Sequence, residues 1–234
     1  MQRFAFALRF MQTHGVLADG RFRCDWKDRW LCLHDATGAT SFDSHYVYHT
    51  AWAARILVRT RPQGHVDIGS CLRFASLVSA FVPIEYYDYR PPRIALSGLT
   101  SGHADVTALS FPSDSIPSLS CMHVVEHIGL ERYGDPLDPR GDLKAMRELC
   151  RVLTPGGQLL FVVPVGATAR IQYNAHRIYT YPQVAKAFSE LVLDEFALVT
   201  DSGDFIEKAH MRDVETQEYG CGCFLFHKPG PKPK

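Results

Sequence analysis

Hydrophobic positions along the chain follow two alternating patterns. Short apolar runs are separated by stretches in which apolar residues return every three or four positions. The first pattern is that of buried strands, and the second that of helices with one buried face. Residues 64–68 form the first strand-like run. Gly69-Ser70 follows, and then a helical stretch over residues 74–81. Pro83 restarts the chain, residues 84–87 read as a second strand, and Pro91-Pro92 stop it. Residues 64–111 thus read as strand, helix, strand and loop. Residues 118–125 form a later strand. Over residues 142–153, Leu143, Met146, Leu149, Cys150 and Leu153 share a helical face. Thr154-Pro155-Gly156-Gly157 is expected to end that helix and turn the chain. Residues 158–163 are then a core strand, closed by Pro164. A helix over 181–191 and an antiparallel pair of strands over 195–200 and 222–227 complete the pattern. Strands alternating with helices predict an α/β fold with a mostly parallel sheet.

Residues 1–60 read as an N-terminal extension or lid, 61–228 as the α/β domain, and 229–234 as a flexible tail without apolar anchors. Within the extension, residues 23–33 suggest a small hairpin. Residues 46–58 have helical character and carry Tyr46, Tyr48, His49 and Trp52. These aromatics fit packing against the domain or a cover over its ligand.

The charge balance limits the partners. Lys plus Arg is 25 and Asp plus Glu is 25, so no global basic field attracts nucleic acid, and no such partner is expected. No apolar run approaches the roughly 20 residues that span a bilayer. The first eleven residues are interrupted by Arg3 and Arg9 and lack a signal-peptide pattern, so the expectation is a cytoplasmic protein, with peripheral membrane attachment left open. The 7 cysteines are dispersed. Cys221-Gly-Cys223 is the one close pair and lacks the second pair of a common zinc spacing, so structural thiols are expected.

The candidate chemistry begins at His65-Val66-Asp67-Ile68-Gly69-Ser70, where a strand becomes a turn. Gly69 permits close backbone approach to a ligand. The G-x-G-x-x-G series of dinucleotide enzymes is missing, which disfavours an NAD oxidoreductase. Asp88 lies 21 positions after Asp67, at the end of the second strand, where a carboxylate can accept both hydroxyls of a ribose. Asp105 follows after 17 more and is placed to meet an adenine amino group, with Leu109 and Phe111 nearby. Neither a G-x-S-x-G nucleophile elbow nor a phosphate loop is present.

These stretches, with residues 121–127 and Leu153-Thr154-Pro155-Gly156-Gly157, resemble the class I S-adenosylmethionine-dependent methyltransferases over about residues 60–228. A narrower resemblance is carried by the stretch from Glu126-His127-Ile128-Gly129 to Asp135-Pro136, and by Asn174-Ala175-His176-Arg177. It points to an uncharacterised methyltransferase-like family associated with surface-polysaccharide biosynthesis. The resemblance implies a Rossmann-like seven-stranded sheet of order 3-2-1-4-5-7-6 with strand 7 antiparallel. It implies S-adenosylmethionine as cofactor. Asp67 would organise the glycine turn, Gly69 would admit the cofactor, Asp88 would hold the ribose and Asp105 the adenine. His123 and Glu126 would meet cofactor or substrate. The loop after Gly69 departs from the family in having Ser70 and Leu72 where further glycines are usual.

The implied reaction is methyl transfer to a small polar acceptor, such as a sugar hydroxyl, free or carrier-linked. A hydroxyl acceptor calls for a base, and histidine serves near neutral pH. His176 is the first candidate and His127 the second. Asn174 would orient a hydroxyl and Arg177 would bind an anionic group. Tyr133 and Asp135 would shape the acceptor site. Glu126, His127, Asp135 and Asp138 do not select a coordination geometry, so no metal is expected. The competing reading is a noncatalytic carbohydrate- or protein-binding domain on the same fold.

Overall fold

The computed structural model describes residues 1–18 and 20–230. The chain divides into two compact units, one from Met1 to Phe42 and one from Asp43 onward. In the first, helix α1 (Gln2–Leu17) buries none of its residues. Residues 23–33 form no hairpin. A single 3-10 turn, Trp26–Asp28, closes there through the Asp28 amide on the Asp25 carbonyl. Trp26 packs edge-on against Phe10 of α1 at 5.1 Å, and Arg29 lies 4.5 Å over its indole. These contacts take the place of a cross-strand neighbour.

The second unit begins with helix α2 (Ser44–Thr60). The Asp43 carboxylate accepts from the Tyr46 amide and caps it. The boundary expected at residue 60 therefore falls at Asp43, because α2 buries Trp52, Ala53, Ile56 and Leu57 in a core shared with the sheet. Then follow β1 (His65–Ile68), α3 (Leu72–Val78), β2 (Ile84–Asp88), β3 (Leu99–His103), β4 (Ile116–Met122), α4 (Gly141–Val152) and β5 (Leu153–Val165). A hairpin of β6 (Arg170–Gln172) and β7 (His176–Ile178) precedes α5 (Tyr181–Ala187), β8 (Val192–Val199), β9 (Phe205–Ile206), α6 (Met211–Val214) and β10 (Gly220–His227).

The main sheet has the order β3-β2-β1-β4-β5-β10-β8-β9. β10 runs antiparallel to both neighbours, while β3 to β5 pair in parallel. This is the expected order extended by the two-residue edge strand β9. Strand β3 lay outside the predicted pattern because Leu-Thr-Ser-Gly-His has no apolar alternation; only Leu99 is buried on this edge. The Thr154-Pro155-Gly156-Gly157 turn is absorbed into β5. Register against β4 jumps from Ile116↔Leu153 to Ser118↔Gln158, so the four residues bulge out of one long strand.

The two faces of the sheet carry separate cores. In β5, Leu159, Phe161 and Val163 face a core shared with α4 and α5, while Leu160 and Val162 face the one shared with α2 and α3. Of the expected tail, Gly230 and Pro229 are described and residues 231–234 lie outside the described residues. Just before them, Lys228 is fastened by its ammonium to Asp114 at 2.7 Å and to the Cys150 and Leu153 carbonyls, both at 2.9 Å.

Candidate active site

A cavity of about 540 Å³ opens at the carboxyl ends of the first four strands. This is the crevice where open α/β sheets bind ligands, and the volume suits a small molecule. Gly69, Asp88, Asp105, His123, His127, Tyr133 and Asp135 all line it.

The Gly69 end is built by backbone. Gly69 has φ of +68°, and a Cβ there would stand 3.2 Å from Val124 and 3.7 Å from the Asp88 carboxylate. The missing side chain keeps open the space between the turn and Asp88. Asp67 does not line the cavity. It is wholly buried beneath the turn, accepting from the Ser70 amide at 3.0 Å and from the Ser120 hydroxyl. Burial raises its pKa to about 6 against the lowering effect of those bonds. Asp88 accepts from the Arg90 amide at 2.7 Å, and the Tyr86 hydroxyl lies 3.3 Å from its other oxygen. Asp105 forms a turn with Thr107, accepting from its amide at 2.8 Å and its hydroxyl at 2.7 Å.

Beneath this end runs a buried polar chain across the sheet. Gln158 donates to Ser118, Ser118 meets His65 Nδ1 at 2.8 Å, and His65 Nε2 meets Ser120 at 2.8 Å, which reaches Asp67. Burial lowers the His65 pKa to about 3. None of these five side chains lines the cavity, so their Ser-His-Asp chemistry is structural.

The other end is built by side chains. The His127 Nδ1 lies 2.7 Å from the Ala175 carbonyl. The same carbonyl accepts from Arg132 Nη1 at 2.9 Å, and that guanidinium stands 3.2 Å from Nδ1; the shorter contact has Nδ1 donating to the carbonyl, which leaves Nε2, 3.8 Å from Glu126 Oε1, with its lone pair. Burial lowers the His127 pKa, which keeps the ring neutral at pH 7. His176, the first-ranked base from sequence, does not line the cavity. Its ring stacks on Tyr219 at 5.0 Å and stands 6.2 Å from His127. Asp135 works on its own loop, accepting from the Gly129 amide at 2.6 Å and the Tyr133 amide at 3.2 Å. Tyr133 turns its ring edge to His127 at 5.5 Å and lies under the guanidinium of Arg90 at 4.6 Å.

Three expected substrate contacts are placed elsewhere. Arg177 is buried, donating to the Ile128 carbonyl at 2.6 Å with Asp142 3.6 Å away. It braces the turn over residues 126–128 instead of offering its charge to a ligand. Asn174 is exposed at the tip of the β6–β7 hairpin and outside the cavity lining. Glu126 is also buried and holds His123 Nδ1 at 2.8 Å.

Sequence reading missed a cluster that reaches the cavity wall through Tyr46 and His123. The His123 Nε2 lies 3.4 Å from the Cys221 sulfur. The rings of His45, Tyr46 and His49 stand 5.9, 5.4 and 4.9 Å from that of His123. Burial works against charging His123, but its contacts with Cys221 and Glu126 outweigh it and hold the ring's pKa above the ordinary histidine value. Burial holds Cys221 well above the usual thiol range. No local signal joins positions 45, 123 and 221; only the fold does.

Comparison with known proteins agrees with the topology. A family model described as a Caenorhabditis protein of unknown function, DUF268, matches residues 112–211. A search of the curated proteins gives no match. Among solved structures, the cyclase SpnF is 15% identical, with 82% of this chain and 86% of that chain covered and a TM-score of 0.58. The Burkholderia thailandensis 1,6-didemethyltoxoflavin-N1-methyltransferase, solved with 1,6-didemethyltoxoflavin and S-adenosylhomocysteine, is 12% identical over 97% of this chain and 89% of that one, with a TM-score of 0.54. The Bradyrhizobium japonicum N-methyltransferase NodS, solved with S-adenosylhomocysteine, is 13% identical over 85% and 94%, also at 0.54. The chain therefore has the class I methyltransferase fold. One of these relatives is a cyclase, so the fold alone does not specify the reaction. No helix among the described residues is long and apolar enough to cross a membrane.

Proposed function

We propose that the cavity binds S-adenosylmethionine and that the protein methylates a small polar acceptor, with a sugar hydroxyl, free or on a glycan carrier, as the preferred class. The observation that carries this reading is the convergence of Gly69, Asp88 and Asp105 on one cavity with His127 on its wall. The residues fit the cofactor. Gly69 leaves space for close approach, Asp88 offers a carboxylate to paired hydroxyls, and Asp105 stands at the next strand end. When bound, the cofactor supplies an electrophilic methyl group.

The chain's own residues do the rest. The turn over residues 67–70 is held rigid by Asp67, so the glycine end is preorganised. His127, neutral with Nε2 basic, is suited to take the acceptor's proton as its oxygen attacks. Tyr133 and the Asp135-tied loop shape the acceptor end and exclude water. Arg177 keeps the His127 turn in place from below.

The test is isothermal titration with S-adenosylmethionine and S-adenosylhomocysteine, with NAD and Asp88→Ala as controls. Saturable binding of the sulfur nucleotides is expected, lost or strongly weakened in Asp88→Ala and absent for NAD. Folded protein that binds neither nucleotide would move the assignment to a noncatalytic binding domain.

A further inference from the structure

We propose that His45, His123 and Cys221 form a three-ligand site for a divalent metal of the zinc class, with a fourth coordination position left open. One ligand atom from each residue lies within 4.8 Å of the other two. Zinc holds nitrogen at ~2.0 Å and thiolate sulfur at ~2.3 Å in a tetrahedron, which sets its ligand atoms roughly 3.5 Å apart. The His123 Nε2 to Cys221 Sγ separation is already 3.4 Å.

The support behind the ligands has the form that metal sites require. A ligating histidine commonly gives its other ring nitrogen to a carboxylate, which fixes the tautomer and aims the ring. His123 Nδ1 meets Glu126 Oε1 at 2.8 Å, and the Glu126 side chain is 1% exposed. The other Glu126 oxygen has no partner among the described residues, nor does Nε2 of the buried His49, whose ring stands 4.9 Å from His123. Such uncompensated polar atoms around one point call for a missing charge or ligand. The three ligands sit at the first turn of α2, just after β4 and at the start of β10, so rigid elements place them. Two imidazoles and a thiolate, formed as the metal displaces protons from His123 and Cys221 to solvent, select a zinc-type ion over magnesium or calcium. This set is distinct from the acidic grouping around Asp135 and Asp138.

Three protein ligands with an open position is the pattern of a catalytic zinc. His123 also lines the cavity, so the metal site shares a residue with the cavity wall. An acceptor hydroxyl or thiol coordinated there would give up its proton to His127 more readily. This use of the metal rests on the methyl-transfer reading; the metal site itself does not.

The experiment is titration of metal-free protein with cobalt(II), read by absorption, followed by competition with zinc. One equivalent is expected, with a thiolate-to-cobalt charge-transfer band and tetrahedral ligand-field bands, displaced by zinc and unaffected by magnesium. Cys221→Ser should abolish the charge-transfer band. Glu126→Gln should weaken binding by about 10- to 100-fold, and His45→Gln by at least as much. Circular dichroism checks the fold of each variant. Asp88→Asn should bind cobalt normally whether or not it binds the nucleotide, which separates failure of this site from failure of the methyl-transfer reading. Absence of the charge-transfer band in folded wild-type protein, or its persistence in Cys221→Ser, would overturn the proposal.

Discussion

The two ends of the cavity are made by opposite means. At the Gly69 end, the parts are a turn, a strand terminus and an Asx turn. Each is local: Ser70 closes on Asp67, Arg90 on Asp88 and Thr107 on Asp105. At the His127 end, the parts come from distant segments. His127 is oriented by Ala175, its turn is braced by Arg177, and His123 meets Cys221. Local hydrogen bonds between residues two or three apart form wherever the sequence permits them. Contacts over 48 to 98 residues exist only once the sheet has brought their elements together. One end is therefore written in motifs, and the other in topology.

The largest expected effect falls at the topological end. His127→Gln should lower turnover by about 10²- to 10⁴-fold while leaving affinity for S-adenosylmethionine unchanged. His176→Gln should cost less than about 10-fold, since its ring lies behind that of His127. Equal losses in the two variants would erase the distinction between them. The next concerns the brace. Arg177→Ala leaves Asp142 buried with the Tyr179 hydroxyl, 3.0 Å away, as its one side-chain partner among the described residues, and should cost about 3–5 kcal/mol in urea denaturation.

The polar chain beneath the glycine turn gives a pH test. Asp67 has its pKa raised from 3.8 to about 6, so its contribution to stability is full below pH 3.8 and lost as pH rises through 6. His65 has its pKa lowered from 6.5 to about 3, so its contribution is full above pH 6.5 and lost as pH falls. Between pH 3.8 and 6 the two slopes oppose each other and the pair adds little pH dependence in the wild type. His65→Gln should expose the Asp67 arm, a loss of about 3 kcal/mol on raising the pH across that window. Asp67→Asn should expose the opposite slope. Melts of both variants at several pH values would show whether the two residues titrate as a compensating pair; parallel slopes would show that they do not.

A smaller change tests the local end directly. Gly69→Ala places a side chain at φ of +68° and against Val124. It should cost about 1–2 kcal/mol of stability and weaken nucleotide binding by about 10-fold, on the proposed reading. Smallest of all, Asn174→Ala at the exposed hairpin tip should change neither stability nor turnover by more than about 0.5 kcal/mol. A large loss of turnover there would mean that the hairpin reaches the acceptor after all.

Much of the fold was legible because its signals are periodic. The alternation along β5 and the three- and four-residue spacing along α4 need only one buried face each. The edge strand β3 was not legible, since an edge with one buried residue has no alternation to read. Residues 23–33 alternate without becoming strands, because Trp26 finds its partner in the neighbouring helix. In the site, Gly69, Asp88 and Asp105 follow from strand ends. Arg177 and Glu126 were read as ligand contacts because charge in a sequence carries no mark of burial.

By itself, then, the sequence determined the alternation of strands and helices, the glycine turn and the carboxylates at successive strand ends. Each depends on residues close enough along the chain to constrain one another's backbone. The tertiary structure alone decided which histidines line the cavity, which charged groups became internal braces, and that His45, His123 and Cys221 meet. Those outcomes depend on strand order and on which side of the sheet each element packs, and no spacing in a single chain encodes either one directly.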